Sequence, residues 1–328
     1  MLTKEGITMD EKIREYQESV ASILRNEYFP TDEGYTIKTG TIRKNNGVQM
    51  HSINILTGNQ PISPTFYVED HFESHTAEAT AQELYELYQK QLANQIDMGN
   101  NKVQQLCDWD YVKDIICFKL INRQKNEKDM ADYPYKVITN DLMLVFYLQV
   151  EKDATALINN SMAKLWGIEN DTANTLLEYA EANTEKLHPV SFRSINEVLR
   201  EMLPIEVIDI PDAEAQLPLY VLTNRDKVNG AGALLYRNGT QLQDCMEEMK
   251  KIYPDTKGVF ILPSSVHEVL IIPDSKAINV DENTLINMVR EVNATEVEAC
   301  DFLSDNILYY SQNNGFKEIS FAQKEIAR

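Results

Sequence analysis

Four side chains capable of chemistry lie together in one short polar segment of the sequence: Ser264, Ser265, His267 and Glu268. A serine nucleophile with His267 as its base would suit a hydrolase or transferase. No Gly-x-Ser-x-Gly nucleophile turn surrounds either serine. We predict a strand over residues 266–272, on which His267 and Glu268 would point to opposite faces. The simpler interpretation is that this segment closes a bend and performs no chemistry.

A second polar group follows the strand predicted over 220–222, at the kind of position where α/β proteins often bind ligands. Asn224, Arg225 and Asn229 form this group, and Arg225 could hold an acidic ligand with two hydrogen bonds. The Gly-Ala-Gly that begins at Gly230 lacks the third glycine and the acid of a dinucleotide motif. We therefore expect a positive φ at Gly230 and treat the three polar residues as candidate ligand-binding residues.

His71 and His75 are the weak candidates for a metal site, because histidines four residues apart on a helix can bind one ion. The sequence has no HExxH motif, and His75 falls at the predicted start of a helix, which removes the common face. We predict neither a metal nor any other cofactor.

The charge balance restricts the partners. The chain has 31 basic and 51 acidic residues, a net charge of −20. A protein that binds DNA, RNA or an anionic membrane directly needs a basic surface, so both roles are disfavoured. An acidic mimic of nucleic acid remains an alternative, although acidic and basic residues are interleaved in segments such as EKIREYQE.

The compartment is predicted to be the cytoplasm. No apolar run approaches the roughly 20 residues of a membrane span, and the N-terminal residues do not resemble a secretory signal. The four cysteines are scattered without any CxxC pair, as expected for reduced thiols.

The hydrophobic periodicity predicts an α+β or mixed α/β fold, with largely antiparallel or mixed sheets and helices packed on them. An N-terminal domain over 1–100 would contain a helix capped by Asp10, a hairpin around an Asn-Gly turn and a long helix. A C-terminal region over 101–328 would follow, with a possible sub-boundary in a connector near 205–217.

Within the C-terminal region, a capping box begins a helix at Ser194, and a second capping box is predicted at Thr240 and Gln243. The helix after Thr240 would place Ile252 on its packed stripe. Short strands are predicted at residues 114–121, 142–150, 154–158, 234–236, 258–262 and 307–310.

Several motifs resemble a bacterial family catalogued as domain of unknown function 5688. They are Ala156-Leu-Ile-Asn159, Lys164-Leu-Trp-Gly-Ile168, Tyr220-Val-Leu-Thr-Asn-Arg225, Asn229-Gly-Ala231, Leu262-Pro-Ser-Ser-Val-His-Glu-Val269, Met288-Val-Arg-Glu-Val-Asn-Ala-Thr-Glu-Val297 and Leu303-Ser-Asp305. The Leu-Trp-Gly-Ile unit and the last strand pair are more distantly similar to domain of unknown function 1444. The resemblance implies a cytoplasmic protein of gut-associated Gram-positive bacteria, and it implies no activity.

Since no catalytic or cofactor motif is complete, we expect a non-enzymatic binding protein with a protein partner. The first alternative is a hydrolase or transferase with its site near Ser265, His267 and Arg225. The second is the acidic mimic that inhibits a nucleic-acid-binding protein.

Overall fold

The computed structural model describes residues 8–57, 64–95, 104–152, 154–202, 217–278 and 280–320. The chain divides into two compact units, Met1–Leu106 and Cys107–Arg328. All strand pairs among the described residues are antiparallel, in three sheets with ten helices, so the predicted α+β class is confirmed.

The N-terminal unit is a three-stranded sheet of order β1-β2-β3 with helices packed on it. Its elements are α1 (Met9–Ile23), β1 (Tyr35–Arg43), β2 (Gln49–Thr57), β3 (Thr65–Tyr67), α2 (Glu69–Phe72) and α3 (Ala77–Gln95). A core of Val20, Leu24, Ile53, Ile55 and Leu84 lies between the sheet and the two longer helices.

Most of the local structure of this unit agrees with the sequence predictions. The predicted hairpin is confirmed, and Asn46 takes the left-handed conformation at its turn, with φ 60°. The helix cap is different from the prediction. Thr8, not Asp10, caps α1, because Thr8 and Glu11 form a reciprocal capping box.

The C-terminal unit contains two sheets. The elements of its first part are α4 (Trp109–Val112), β4 (Ile116–Asn122), α5 (Arg123–Asn126), β5 (Tyr135–Val137), β6 (Leu142–Glu151), β7 (Ala154–Leu157), α6 (Asn160–Leu165) and α7 (Thr172–Leu187). The remaining elements are β8 (Val190–Ser194), α8 (Ile195–Met202), β9 (Tyr220–Asn224), a 3-10 run (Gly230–Gly239), α9 (Thr240–Lys250), β10 (Val259–Leu262), β11 (Val269–Pro273), α10 (Glu282–Thr295), β12 (Ile307–Ser311) and β13 (Gly315–Ile319).

The smaller sheet of this unit has β6 at its centre, with β4 on one side and β5 and β7 on the other. The first seven residues of β6 are buried, as its continuous apolar run predicts. The larger sheet has the order β13-β12-β10-β11-β9-β8, which leaves β8 and β13 as its edges.

The two faces of the larger sheet follow from strand register. Leu262 and Ile272 pack against Leu285, Ile286 and Val289 of α10. Because side chains alternate between faces, Phe192, Tyr220, Leu222 and Ile271 point to the opposite face.

Three further local predictions were wrong. Residues 234–236 are not a strand but part of the 3-10 run, and Thr240 and Gln243 form no capping box, because left-handed Gly239 (φ 82°) precedes α9 as its cap. Ile252 lies beyond the end of α9 and is 66% exposed. The edge strands β8 and β13 were not predicted. Most of the predicted connector at 205–217 lies outside the described residues.

Candidate functional site

The two polar groups singled out in the sequence are neighbours in the fold. The Thr223 hydroxyl donates to the carbonyl oxygen of His267 at 2.7 Å, and the Asn229 N–H donates to His267 Nδ1 at 3.3 Å. The Ala231 N–H donates to the Val266 carbonyl at 3.1 Å. The loop after β9 therefore packs directly on the segment that contains His267.

His267 lies before β11 and not within it, so the predicted strand alternation between His267 and Glu268 does not apply. Its Nε2 is 3.2 Å from Oδ2 of Asp301, in the turn after α10. Since Nδ1 accepts from Asn229, the neutral ring carries its proton on Nε2, facing Asp301. This hydrogen bond raises the pKa of His267 and lowers the pKa of Asp301.

The serines next to His267 serve the backbone. Ser265 is 7% exposed, and its hydroxyl accepts the backbone N–H of His267 at 3.0 Å. The Ser264 carbonyl accepts the N–H of Leu303. Among the described residues, no hydrogen bond joins the imidazole to either serine hydroxyl. Glu268 adds only its charge, which also raises the pKa of His267. This geometry has no nucleophile–base pair.

The loop after β9 is likewise stabilised by hydrogen bonds between its own residues. The side chain of Asn224 is buried and bonds the backbone of Val228 through both its amide nitrogen and its oxygen. Arg225 is exposed, and Asn229 is left-handed with φ 53°. Gly230, in contrast, does not have the positive φ that we expected. A Cβ there would overlap the Thr223 hydroxyl and the His267 carbonyl, so close approach explains this glycine.

Potential metal ligands cluster at one place among the described residues, and this place does not include the weak candidates His71 and His75. His71 lies in α2 and His75 beyond its end, with ring centroids 5.5 Å apart and no third ligand close enough. Glu298, Cys300 and Asp301 do have ligand atoms within 4.8 Å of one another. Burial and the two carboxylates raise the pKa of Cys300 to about 11, which keeps it a protonated thiol.

A groove of about 470 Å³ lies on the face of the larger sheet opposite α10, beside β8. The rings of Phe192 and Tyr220 are stacked at 5.3 Å and 15° along it. The lining residues are Phe192, Arg193, Ser194, Glu197, Tyr220, Gln241, Asp244, Cys245, Glu248, Lys251 and Ile252. This site combines an aromatic pair, an exposed isoleucine and a charged rim.

A strained loop positions the α9 side of this groove. Arg237 and Asn238 are both left-handed, with φ 52° and 56°, just before Gly239. Left-handed backbone costs about 1–2 kcal/mol at each residue that has a Cβ. In this conformation the Arg237 guanidinium bonds Gln241 and also Asp244, the latter at 2.7 Å. Such strain is common where a binding surface must be held in place.

Sequence reasoning missed both Asp301 and the groove. No local pattern pairs Asp301 with His267, because the contact joins distant segments. Predicting the groove would first have required predicting the strand β8. Its Val-Ser-Phe-Arg-Ser alternation directly after Pro189 is a strand signal that could have been used.

No helix among the described residues is both long and apolar enough to cross a lipid bilayer. No curated protein and no solved structure matches the chain. The sequence profile of a family of unknown function, DUF5688, matches residues 13–312. This match spans most of the sequence, so the chain belongs to that family.

Proposed function

We propose that this protein is a non-enzymatic binding protein whose protein partner docks in the groove beside β8. The observation that carries the proposal is the stacked pair Phe192 and Tyr220 beside an edge strand. Aromatic side chains in a partly enclosed depression are the usual centres of protein interfaces.

The exposed apolar side chain of Ile252 supports a protein partner. It is 66% exposed and lines the same groove. An apolar side chain beside an aromatic pair and inside a polar rim matches the arrangement of an interface core.

The histidine site supports binding over turnover. Both ring nitrogens of His267 are engaged, by Asn229 and Asp301, and the Ser265 hydroxyl bonds the backbone. A serine hydrolase would need an imidazole nitrogen free to take the proton of the serine hydroxyl, and both nitrogens of His267 have other partners.

The acidic surface supports a soluble partner in the bacterial cytoplasm more than mimicry of nucleic acid. Neighbouring acids on α9 are paired with lysines, Glu247 with Lys250 and Glu248 with Lys251. A mimic would instead present unbroken rows of carboxylates at phosphate spacing.

The test is quantitative affinity purification from host lysate with three immobilised forms of the full chain: wild type, Ile252→Asp and the control Leu165→Asp. Leu165 is 61% exposed on α6 and does not line the groove, so its replacement makes the same change of character elsewhere. We expect one protein retained by wild type and by Leu165→Asp and reduced about tenfold or more on Ile252→Asp. Equal recovery on all three forms would rule out the groove as the docking site.

A further inference from the structure

We infer that the segment bound in this groove is an extended, basic stretch of polypeptide that adds a strand to β8. This inference rests on the proposed function and names the chemistry of the partner. Two observations support it: the outer edge of β8, which pairs with no strand in the described part of the chain, and the charge of the groove rim.

The strand register identifies the free backbone groups. The Ile195 N–H donates to Leu219, and the Arg225 N–H donates to Pro189, so these positions bond across the β8–β9 pair. Antiparallel bonding alternates along a strand, so Ser191 and Arg193 also bond β9. The N–H and C=O groups of Val190 and Phe192 must then point outward.

Within the described ranges of the chain, the outward edge is open at those two residues. No backbone group among the described residues bonds the outer side of Val190 or Phe192. Farther along, the Ser194 N–H is bonded by the Glu197 carboxylate at 2.9 Å, which ends the edge at the start of α8. An added strand would therefore pair over a short stretch beside the groove, as in β-strand addition.

The groove accepts side chains from such a strand. Phe192 carries one of the free N–H groups, and its ring, stacked on Tyr220, lines the groove. Every second side chain of a strand paired with Phe192 would point to this face. Those side chains would contact the aromatic pair and Ile252. We therefore expect apolar residues at alternate positions of the bound segment.

The rim favours positive charge at the other contacts. The groove and its direct ion-pair partners contain four carboxylates and three basic side chains. Asp244 and Glu248 pair with Arg237 and Lys251, but both carboxylates are 60% exposed, so an incoming lysine or arginine can share them. The net charge of −20 attracts a basic segment over longer distances and opposes pairing with a second copy of the chain.

The experiment is selection of random twelve-residue peptides on the immobilised full-length protein, followed by affinity measurement with the enriched peptides. The protein variants are Ile252→Asp, Glu248→Lys and the control Glu247→Lys. Glu247 is 69% exposed on the same helix but does not line the groove, which makes it a matched charge reversal. A series of peptides with single backbone N-methyl groups tests strand pairing.

We expect enriched peptides to contain lysine or arginine and to bind about tenfold more weakly to Glu248→Lys while keeping their affinity for Glu247→Lys. N-methylation should weaken binding at every second position only, because one edge of an added strand bonds β8.

Other results separate the two proposals. Peptides that lose binding to Ile252→Asp but show no alternation with N-methylation, or no effect of Glu248→Lys, would overturn the inference and leave the groove proposal standing. Failure to enrich any peptide would also overturn the inference. Whether the groove is the docking site is tested separately by the affinity purification from lysate. If light scattering shows that the wild type is a dimer and that Ile252→Asp is a monomer, the edge of β8 pairs with a second copy of the chain. That result would also overturn the inference.

Discussion

Asp301 Oδ2 lies 3.2 Å from Nε2 of His267, while Nδ1 of the same ring accepts the backbone N–H of Asn229. The imidazole thereby joins three segments: the turn after α10, the approach to β11 and the loop after β9. We interpret the most chemically suggestive histidine of the sequence as a structural connection between them.

The first prediction concerns the pH dependence of this connection. His267 has a raised pKa, so its contribution to stability is complete below its ordinary value of 6.5 and is lost as pH rises through the folded pKa. Asp301 has a lowered pKa, so its contribution is present above its ordinary value of 3.8 and is lost as pH falls through the folded pKa. The charged ring no longer accepts the Asn229 N–H, because both of its nitrogens then carry protons, but it forms an ion pair with Asp301. Asp301→Asn should therefore cost about 1 kcal/mol in urea unfolding at pH 5.5 and less at pH 9.

The control for this measurement is Glu298→Gln, a neutralised neighbour in the same turn that makes no bond to His267 among the described contacts. Its effect should be small and similar at both pH values. An equal loss for Asp301→Asn at pH 5.5 and pH 9 would contradict an ion pair with His267.

The second prediction compares two glycines with different reasons to be glycine. A Cβ at Gly230 would overlap the Thr223 hydroxyl and the His267 carbonyl and lie 2.8 Å from the Asn224 nitrogen. Gly239 has open space around it but a φ of 82°. We expect Gly230→Ala to lower the free energy of unfolding by about 2–4 kcal/mol, and Gly239→Ala by about 1–2 kcal/mol. Similar losses for both in chemical denaturation would show that the neighbours of Gly230 shift to accept a Cβ at little cost, which would contradict close packing at this position.

The elements that sequence predicted well are those specified by local physics. The Asn-Gly turn predicted the hairpin of β1 and β2, the apolar run of β6 agrees with its burial, and Ser194 and Glu197 form the predicted capping box at the start of α8. Each of these signals is contained within a few residues, and no distant contact opposes it.

The failures have a different physical origin. Thr240 and Gln243 form a capping pattern, but the three residues before Thr240 are left-handed, and the first of them, Arg237, forms ion pairs with Glu185 and Asp244. Asp301 contacts His267 only because α10 returns the chain to the sheet. Contacts between distant segments form both the His267 site and the groove beside β8. Such contacts leave no periodic pattern in the sequence.

The third prediction concerns the buried carboxylate of Asp141, which is 7% exposed. It accepts hydrogen bonds from Ser304 at 2.6 Å and from Asn306 and Gln124 at 2.8 Å. These bonds connect the start of β6 to the start of β12. Asp141→Asn would turn an amide group toward these donors, so we expect a loss of about 2–3 kcal/mol in thermal or urea unfolding.

The matched control is the neighbouring change Asn140→Ala. Asn140 is exposed and makes one long contact of 3.5 Å to Glu318, so its loss should stay below about 0.5 kcal/mol. If Asp141→Asn were as mild as Asn140→Ala, the network would contribute nothing measurable to the link between the two sheets.

The fourth prediction uses the cysteines as reporters of the fold. Cys107 is exposed, whereas Cys117 and Cys245 are buried, and burial raises the pKa of each of these two thiols to about 12. The pKa of Cys300 is raised to about 11, so about one thiol in a thousand is ionised at pH 8. A disulfide reagent at pH 8 should therefore modify one thiol of the native protein quickly, a second slowly, and all four in denaturant.

Two changes test which thiol reacts in each phase. Cys107→Ser should abolish the fast phase. Raising the pH from 8 to 9 should accelerate the slow phase about tenfold, because each pH unit multiplies the thiolate fraction by ten while that fraction is small. A fast phase that persists in Cys107→Ser would mean that one of the other three cysteines is more exposed and more acidic than this fold allows.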